Sequence, residues 1–280
     1  MCNFDEEITF FYLLKISSFS LIKMASASRS KTSKAKDEYE NSLLSQMFKV
    51  YRTVLEMMKD RGYNINTQKH FLRDDMSPRE FFAEMSRGGE KLNRQMDTTF
   101  RKDEDMTGIE QIRVFFADTK IEKGIPKTGT GEIKPILAFL HENDLKHCII
   151  ITQVVPTSKA IPDRNEYPDK IIEHFIYSEL AYNVTKHFLV PKHRLMSNEE
   201  VNILTTGEDM NTKLSKLPVM SFKDPIAKYY GALPGSVFEI NRFKVIETSM
   251  IDQTVVHRMV AEIPLEIPLA VIASTKKKNK

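Results

Sequence analysis

The sequence predicts an α/β protein in two parts, an N-terminal α/β domain with a mainly parallel sheet and a small α+β C-terminal domain. Three observations favour this architecture. An apolar strand, an amphipathic helix and a second apolar strand follow one another between residues 112 and 155, which is the order of a βαβ unit. The second strand is almost wholly apolar, as in a strand covered on both faces. Beyond about residue 185 the predicted elements become short and prolines punctuate the chain.

Two helices are predicted ahead of the sheet. The first spans about residues 37–61, where apolar side chains recur at spacings of three and four, and Gly62 suits the left-handed residue that ends many helices. The second begins at Ser77, where the order Ser-Pro-Arg-Glu is a capping box with proline at the first helical position. Residues 90–108 are charged and aperiodic, which predicts a loop or a weak helix.

The sheet of the N-terminal domain is predicted to contain strands at residues 112–116 and 148–155. Pro135 is predicted to open the helix between them. The apolar spacing within residues 171–176 favours one more helix, and residues 180–184 favour another strand.

The C-terminal domain is predicted to begin near residue 184 and to span residues 185–260. Ser197 opens a second capping box and a short helix. Asp224 is a predicted N-cap followed by Pro225 at the first helical position. Two strands of a small sheet are predicted at residues 237–243 and 254–260.

The two ends of the chain differ in composition from the domains. Residues 1–36 are predicted to form a disordered leader, because the Ser/Lys-rich part buries too little apolar surface to offset its ordering entropy. Translation could start at Met1 or at Met24. Residues 261–280 are predicted to be an extension that closes on a basic tail.

Composition excludes several classes of protein. Lys and Arg exceed Asp and Glu by only 41 to 38, which is too small an excess for a protein that binds nucleic acid alone. Two cysteines build neither a disulfide framework nor a four-cysteine zinc site. No apolar run reaches the ~20 residues that span a bilayer, so no membrane is expected as a partner. No phosphate-cradling glycine loop and no nucleophile elbow occurs. We expect no catalytic residue, no metal and no cofactor.

One weak catalytic pattern is present. Asp118, Glu132 and Lys134 match the carboxylate and Glu-x-Lys arrangement of metal-dependent nucleases. Glu-x-Lys recurs by chance in a chain this charged, and here it precedes a predicted helix rather than lying on a strand. A solvated helix end is therefore the favoured interpretation, and a nuclease stays the alternative from a different class.

Two motifs in the C-terminal domain resemble a known family. HFLVPKH at residues 187–193 and DPIAKYYG at residues 224–231 are followed by Gly235 and Arg242. This order and spacing resemble the assembly domain that the fifth common subunit of eukaryotic RNA polymerases shares with its smaller counterpart in the archaeal enzyme. Upstream, DRGY at residues 60–63 and the predicted strands resemble the jaw domain of the eukaryotic protein, which looks like a truncated nuclease fold and which the archaeal counterpart lacks.

The resemblance implies a non-catalytic polymerase subunit. Its partners would be the largest polymerase subunit, other polymerase subunits and downstream double-stranded DNA, and its location the nucleus, or a virion or viral factory if the polymerase is viral. A third possibility is a free transcription regulator that docks on polymerase through the same domain. The resemblance places the interface with the largest subunit at His187, Val190, Pro191, His193, Asp224, Pro225, Lys228, Tyr229, Tyr230, Gly231, Arg242 and Arg258. It places the DNA-contacting loop at Pro156, Thr157, Ser158 and Lys159.

Two of these expectations have a physical basis, and at one position the sequence departs from the family. Tyr229 and Tyr230 are expected to offer aromatic surface with polar tips, which is common at interfaces. Thr157 and Ser158 can donate to phosphate oxygens while Lys159 supplies charge, so contact with DNA would be indifferent to sequence. Lys228 stands where the family usually has arginine, which removes a planar fork for bidentate contacts.

Overall fold

A computed structural model describes residues 31–65, 76–85, 92–102, 111–122, 125–162, 166–206, 214–246 and 250–262. The chain divides into two compact units, Met1–Tyr182 and Asn183–Lys280. Among the described residues, no helix is both long and apolar enough to cross a membrane.

The N-terminal unit contains four helices and six strands in its described part. In chain order they are α1 (Lys31–Asp60), α2 (Pro78–Met85), α3 (Leu92–Met96), β1 (Thr98–Arg101), β2 (Gln111–Phe116), β3 (Lys120–Glu122), β4 (Ile125–Lys127), α4 (Thr130–Glu142), β5 (His147–Thr152) and β6 (Ile171–Ile176).

Helix α1 ends as its sequence predicts. Gly62 has a φ of 82°, its N–H donates to the Lys59 carbonyl at 2.9 Å, and the Tyr63 N–H donates to the Met58 carbonyl at 2.9 Å. These two bonds are the pair that defines a Schellman motif. The start of the helix differs from the prediction, since α1 begins at Lys31, inside the segment predicted to be disordered. Lysine and alanine favour helix, so a helix established downstream extends into residues 31–36. Residues 1–30 lie outside the described part.

The capping box at α2 is present. The Glu80 N–H donates to Ser77 Oγ at 3.3 Å, and the Ser77 N–H donates to Glu80 Oε2 at 2.8 Å. The helix buries Phe81, Phe82 and Met85. Phe81 lies 5.1 Å from the ring of Tyr51 on α1 and so joins the two helices through their apolar faces.

The sheet of this unit has the order β1-β2-β5-β6. Strands β2, β5 and β6 are parallel and β1 is antiparallel to β2, so the predicted mainly parallel sheet is confirmed. Strand β5 is buried along almost its whole length, and α4 covers one face of the sheet through Ile133, Ile136 and Leu140.

Three predictions for this unit were wrong. Residues 171–176 form strand β6 rather than a helix, because six residues pair completely with β5 but make fewer than two helical turns. Residues 180–184 form no strand; a 3₁₀ turn covers Val184–Lys186. Residues 98–101, in the segment predicted as loop or weak helix, form the edge strand β1. Short strands carry little local signal, because their stability comes from the neighbour with which they pair.

Helix α4 begins earlier than predicted. It starts at Thr130, so Pro135 is the sixth helical residue rather than the first. The Glu132 carboxylate accepts the Gly129 N–H at 2.8 Å and so satisfies a donor at the helix start. Pro135 lies beyond the first turn, so it costs the helix the hydrogen bond that an N–H at this position would donate to the Gly131 carbonyl.

The C-terminal unit is a four-stranded sheet with two helices in its described part. Its elements are β7 (Lys192–Leu195), α5 (Asn198–Thr206), β8 (Val219–Ser221), α6 (Pro225–Tyr229), β9 (Val237–Ile246) and β10 (Met250–Ala261). The strand order is β7-β9-β10-β8, antiparallel except for the parallel pair β10–β8. The two predicted strands are confirmed as β9 and β10, although both are longer than expected, and β10 includes Ala261, the first residue of the predicted extension.

Candidate functional site

One face of the C-terminal sheet gathers several of the predicted interface residues. In the register of the sheet His193 lies opposite Ile240, Arg258 lies opposite Phe238, and Thr254 lies opposite Arg242. Alternate residues of a strand project to the same face, so His193, Arg242 and Arg258 share the face that holds Phe238 and Ile240. These two apolar residues form the core with α6.

The turn that carries α6 is built as the sequence predicts. Asp224 Oδ1 accepts the Ile226 N–H at 2.9 Å, and Pro225 takes the first helical position. Gly231 has a φ of 64°, a conformation that glycine adopts without steric cost. Helix α6 is therefore held at both ends by the residues of the DPIAKYYG motif.

The two tyrosines of this motif have different environments. Tyr229 is only 2% exposed, and its hydroxyl accepts a hydrogen bond from Asn183 Nδ2 at 2.9 Å. The expectation that Tyr229 offers surface is therefore wrong. It lies three residues after buried Ile226 on the same helical face, and a helix of five residues has room for one buried face. Tyr230 is half-buried, and its hydroxyl donates to the His193 carbonyl at 3.2 Å.

The HFLVPKH motif exposes two apolar side chains that we did not single out from the sequence. Phe188 is 88% exposed and stacks on His187 with 5.1 Å between ring centroids, and Leu189 is 72% exposed. Val190 packs against the core of the unit and Pro191 is half-buried. Two adjacent large apolar residues are the sequence signal that could have indicated this exposed pair. The signal is weak, because exposed apolar residues are common on protein surfaces.

The electrostatic environment of His193 joins the two motifs. Its Nδ1 lies 2.7 Å from the Pro191 carbonyl, which makes Nδ1 the protonated ring nitrogen. Burial lowers the pKa of His193, and Arg242 and Arg258 lower it further, against the opposing effects of this hydrogen bond and Asp224. Asp224, Arg242 and Arg258 therefore lie close enough to His193 to act on it electrostatically. Lys228 is half-buried on α6.

The predicted DNA-contacting loop follows the carboxyl end of β5. The Thr157 N–H donates to the Thr128 carbonyl at 3.0 Å, and the Ala160 N–H donates to the Thr157 carbonyl at 2.8 Å. Ala160 is buried, whereas Thr157, Ser158 and Lys159 are exposed and Pro156 is half-buried. The backbone of the loop is thus anchored while its polar side chains face outward.

Two of the three residues of the nuclease pattern, Glu132 and Lys134, lie on α4, and Glu132 already has other partners there. Glu132 binds Lys120 Nζ at 2.5 Å and accepts the Gly129 N–H, and Lys134 is exposed on α4. Burial raises the pKa of Glu132, but the contacts with Lys120 and Gly129 outweigh it and lower the pKa overall. Glu132 is therefore a helix-capping residue in an ion pair, not the solvated helix end that we expected. No described cluster of three or more His, Cys, Asp or Glu residues could hold a metal ion.

Comparisons with known proteins identify the family. Residues 41–135 match the family model for the RNA polymerase Rpb5 N-terminal domain, and residues 182–260 match that for the RNA polymerase Rpb5 C-terminal domain. The chain belongs to the Rpb5 family of RNA polymerase subunits. The resemblance stated from the two C-terminal motifs is thereby confirmed.

Curated relatives in the Rpb5 family cover most of the chain. A Dictyostelium discoideum protein named DNA-directed RNA polymerases I, II, and III subunit rpabc1 is 32% identical over 203 residues, which is 71% of this chain and 91% of that protein. The Caenorhabditis briggsae protein of the same name is 32% identical over 212 residues, 74% of this chain and 92% of that protein. The Arabidopsis thaliana DNA-directed RNA polymerase subunit 5-like protein 1 is 30% identical, over 71% of this chain and 90% of its own length.

Proposed function

We propose that this chain is a non-catalytic subunit of a DNA-directed RNA polymerase, with two tasks. Its C-terminal domain docks on the largest polymerase subunit, and its N-terminal domain guides downstream duplex DNA. The observation that carries the proposal is that both domains of the chain match the two domains of one polymerase-subunit family. Such a subunit of a nuclear polymerase acts in the nucleus, or in a viral factory if the polymerase is viral.

The surface of the C-terminal unit supports docking. Phe188 and Leu189 expose large apolar side chains next to one another, and an interface of this kind would bury them. A domain this small buries little apolar surface on its own, which favours a role in which a larger partner covers part of it. Tyr230, half-buried beside His193, has the amphipathic side chain that is enriched at interfaces.

The loop at residues 156–159 supports DNA guidance. Its backbone is anchored at Thr128, so the exposed Thr157, Ser158 and Lys159 are presented on a fixed support. Hydroxyls and a single lysine suit contact with phosphate oxygens rather than with base edges, and such contact positions DNA without selecting a sequence. The weak net charge of the chain agrees with a subunit that holds DNA only as part of a larger assembly.

Docking is tested with the full chain and the purified largest subunit of its polymerase. The double variant Phe188→Ala with Leu189→Ala should weaken binding by about tenfold or more, as expected for an apolar anchor at an interface. The matched control is Ile121→Ala with Ile125→Ala, which removes two comparably exposed apolar side chains from the β3–β4 hairpin of the other unit. Equal binding by the docking variant and the wild type would count against this face, and a substoichiometric amount in purified polymerase would favour a free regulator instead.

Guidance of DNA is tested in the assembled polymerase. Lys159→Glu with Ser158→Ala should reduce crosslinking to duplex DNA ahead of the active site and leave assembly intact. The control Lys146→Glu makes the same charge change at an exposed lysine that precedes β5, at the opposite end of that strand. Unchanged crosslinking in the loop variant would remove residues 156–159 from the DNA path. If the isolated chain instead cleaves DNA with Mg²⁺ and Glu132→Gln abolishes the cleavage, the nuclease alternative is correct.

A further inference from the structure

Arg258 on β10 is a half-buried arginine, and one of its donors has no partner among the residues that the structure describes. Its Nε atom is buried and has no hydrogen-bond acceptor. Arg242 lies on the same face of the sheet and is exposed. A buried donor that gives up water and gains no acceptor destabilises a fold, and a charged one does so more strongly.

The surroundings of Arg258 do not neutralise it. Arg242 and Arg258 both lower the pKa of His193, so each of them acts electrostatically on that side chain. Asp224 is the described carboxylate that opposes them at His193, and its Oδ1 already caps α6 by accepting the Ile226 N–H. The face therefore carries an excess of positive charge, next to an arginine donor that water does not reach.

Apolar and aromatic groups accompany this charge. Tyr230 hydrogen-bonds to the His193 backbone, and its ring lies 5.7 Å from that of Phe238, which is opposite Arg258 in the sheet. Arginine beside an aromatic ring is the composition of many interface anchors, where both become fully desolvated. A guanidinium in such a place needs an acceptor with two oxygens in one plane.

We infer that the sheet face that carries His193, Arg242 and Arg258 binds a carboxylate side chain of the polymerase partner, received by the guanidinium groups of Arg258 and Arg242. The inference rests on the proposed docking and adds the chemistry of the group that is recognised. A partner glutamate or aspartate supplies an acceptor for the terminal nitrogens of Arg258, whose Nε is buried, and the negative charge that this face lacks. The pair then forms at the moment of docking, so Arg258 contributes to affinity rather than to the stability of the free chain.

Whether Arg258 contributes to affinity rather than to stability is tested with four variants of the full chain. Each is assayed for binding to the purified largest subunit over a series of salt concentrations. Arg258→Met and Arg242→Met should each weaken binding, Arg258→Met by about tenfold or more, because truncation leaves the partner carboxylate buried and unpaired. Both should also flatten the dependence of binding on salt. Arg258→Lys should retain part of the affinity, since it keeps the charge and loses the fork.

The matched control is Arg194→Met. Arg194 lies on β7 one residue after His193, so it projects to the opposite face of the sheet, where it binds Glu200 at 2.7 Å and Glu239 at 2.9 Å. The variant Arg194→Met removes the same charge from the same domain and should leave binding within about twofold of the wild type, because exposed ion pairs contribute little. Thermal unfolding of the free chain is the second readout. Arg258→Met should unfold at the wild-type temperature or above it, because an unpartnered buried donor is removed.

Each other result overturns the inference. If Arg258→Met lowers the unfolding temperature of the free chain together with binding, Arg258 is a structural residue. If Arg258→Met binds like the wild type while the Phe188 and Leu189 variant does not, the C-terminal domain docks without recognising an anion. If Arg258→Met assembles normally and loses crosslinking to DNA, the anion is a phosphate. If the wild-type chain does not bind the largest subunit, the proposed function and this inference fail together.

Discussion

Asp97 shows what a single buried carboxyl does in this protein. It lies between α3 and β1, where its Oδ1 accepts the Phe116 N–H at 2.7 Å and Arg94 lies 3.6 Å from its other oxygen. Burial raises the pKa of Asp97 to about 7, despite the opposing effects of the Phe116 N–H, Arg94 and Arg113. The side chain thus has a structural hydrogen bond but an ionised form that the fold disfavours.

Asp97 therefore makes stability depend on pH near neutrality. A carboxyl whose pKa is raised on folding contributes stability that is fully present below its unfolded pKa, near 4, and is lost as the pH rises through about 7. The free energy of unfolding of the wild type should fall by up to about 4 kcal/mol between pH 4 and pH 8. Asp97→Asn keeps the acceptor for Phe116 and should remove most of this fall. Urea denaturation at a series of pH values measures it, with exposed Asp169→Asn as the control. A wild-type profile as flat as that of Asp97→Asn would show that the carboxyl ionises freely.

At the scale of elements, one buried ion pair joins helix α1 to the sheet. Arg61, in the turn that ends α1, donates from both terminal nitrogens to Glu173 on β6, at 2.8 and 2.7 Å. His147 at the start of β5 lies 2.6 Å from the same carboxylate. Burial raises the pKa of Glu173, but Arg61 and His147 outweigh it and lower the pKa to about 2. Three elements distant in sequence therefore meet at one carboxylate.

Removal of this carboxylate should destabilise the N-terminal unit strongly. Glu173→Gln removes the buried negative charge that Arg61 and His147 both contact, and we expect a loss of about 3–5 kcal/mol in the free energy of unfolding at pH 7. Because the pKa of Glu173 is lowered on folding, the contribution of the wild-type residue is present above pH 4.5 and is lost as the pH falls through about 2. Denaturant unfolding measures both effects. Glu239→Gln, which breaks the pair of Glu239 with half-exposed Arg194, is the matched control and should cost less than about 1 kcal/mol. Equal losses in the two variants would mean that the Arg61–Glu173 pair stabilises the protein no more than a surface ion pair does.

At the scale of the whole molecule, the residue at the boundary between the two units, Asn183, belongs to the hydrogen-bonded interior of the second unit. Asn183 is the first residue of the C-terminal unit and is buried. Its Nδ2 donates to Tyr229 and its Oδ1 accepts the Thr185 N–H at 2.9 Å. A domain boundary placed by sequence at residue 185 omits this contact.

Two fragments of the chain should therefore differ in stability. The fragment 183–280 should unfold at a higher temperature than the fragment 185–280, by an amount that corresponds to about 1–3 kcal/mol for a buried hydrogen bond left unmade. Thermal unfolding followed by circular dichroism measures the difference, and Asn183→Ala in the longer fragment should reproduce the loss. If the two fragments unfold at the same temperature, Asn183 is not part of the folding unit.

Sequence alone determined those features whose cause lies within a few residues. The end of α1 at Gly62, the capping box at Ser77 and the turn begun by Asp224 each depend on local hydrogen bonds, and the apolar strand β5 on its own composition. The two motifs of the second domain also identified the family.

Tertiary structure alone decided the rest. Strands β1 and β6 form because a neighbouring strand pairs with each of them. Tyr229 is buried, and its hydroxyl has a hydrogen-bond partner there only because the fold brings Asn183 to it. His193 lies 49 residues before Arg242 and 65 before Arg258, and the three share a face only through the register of three strands.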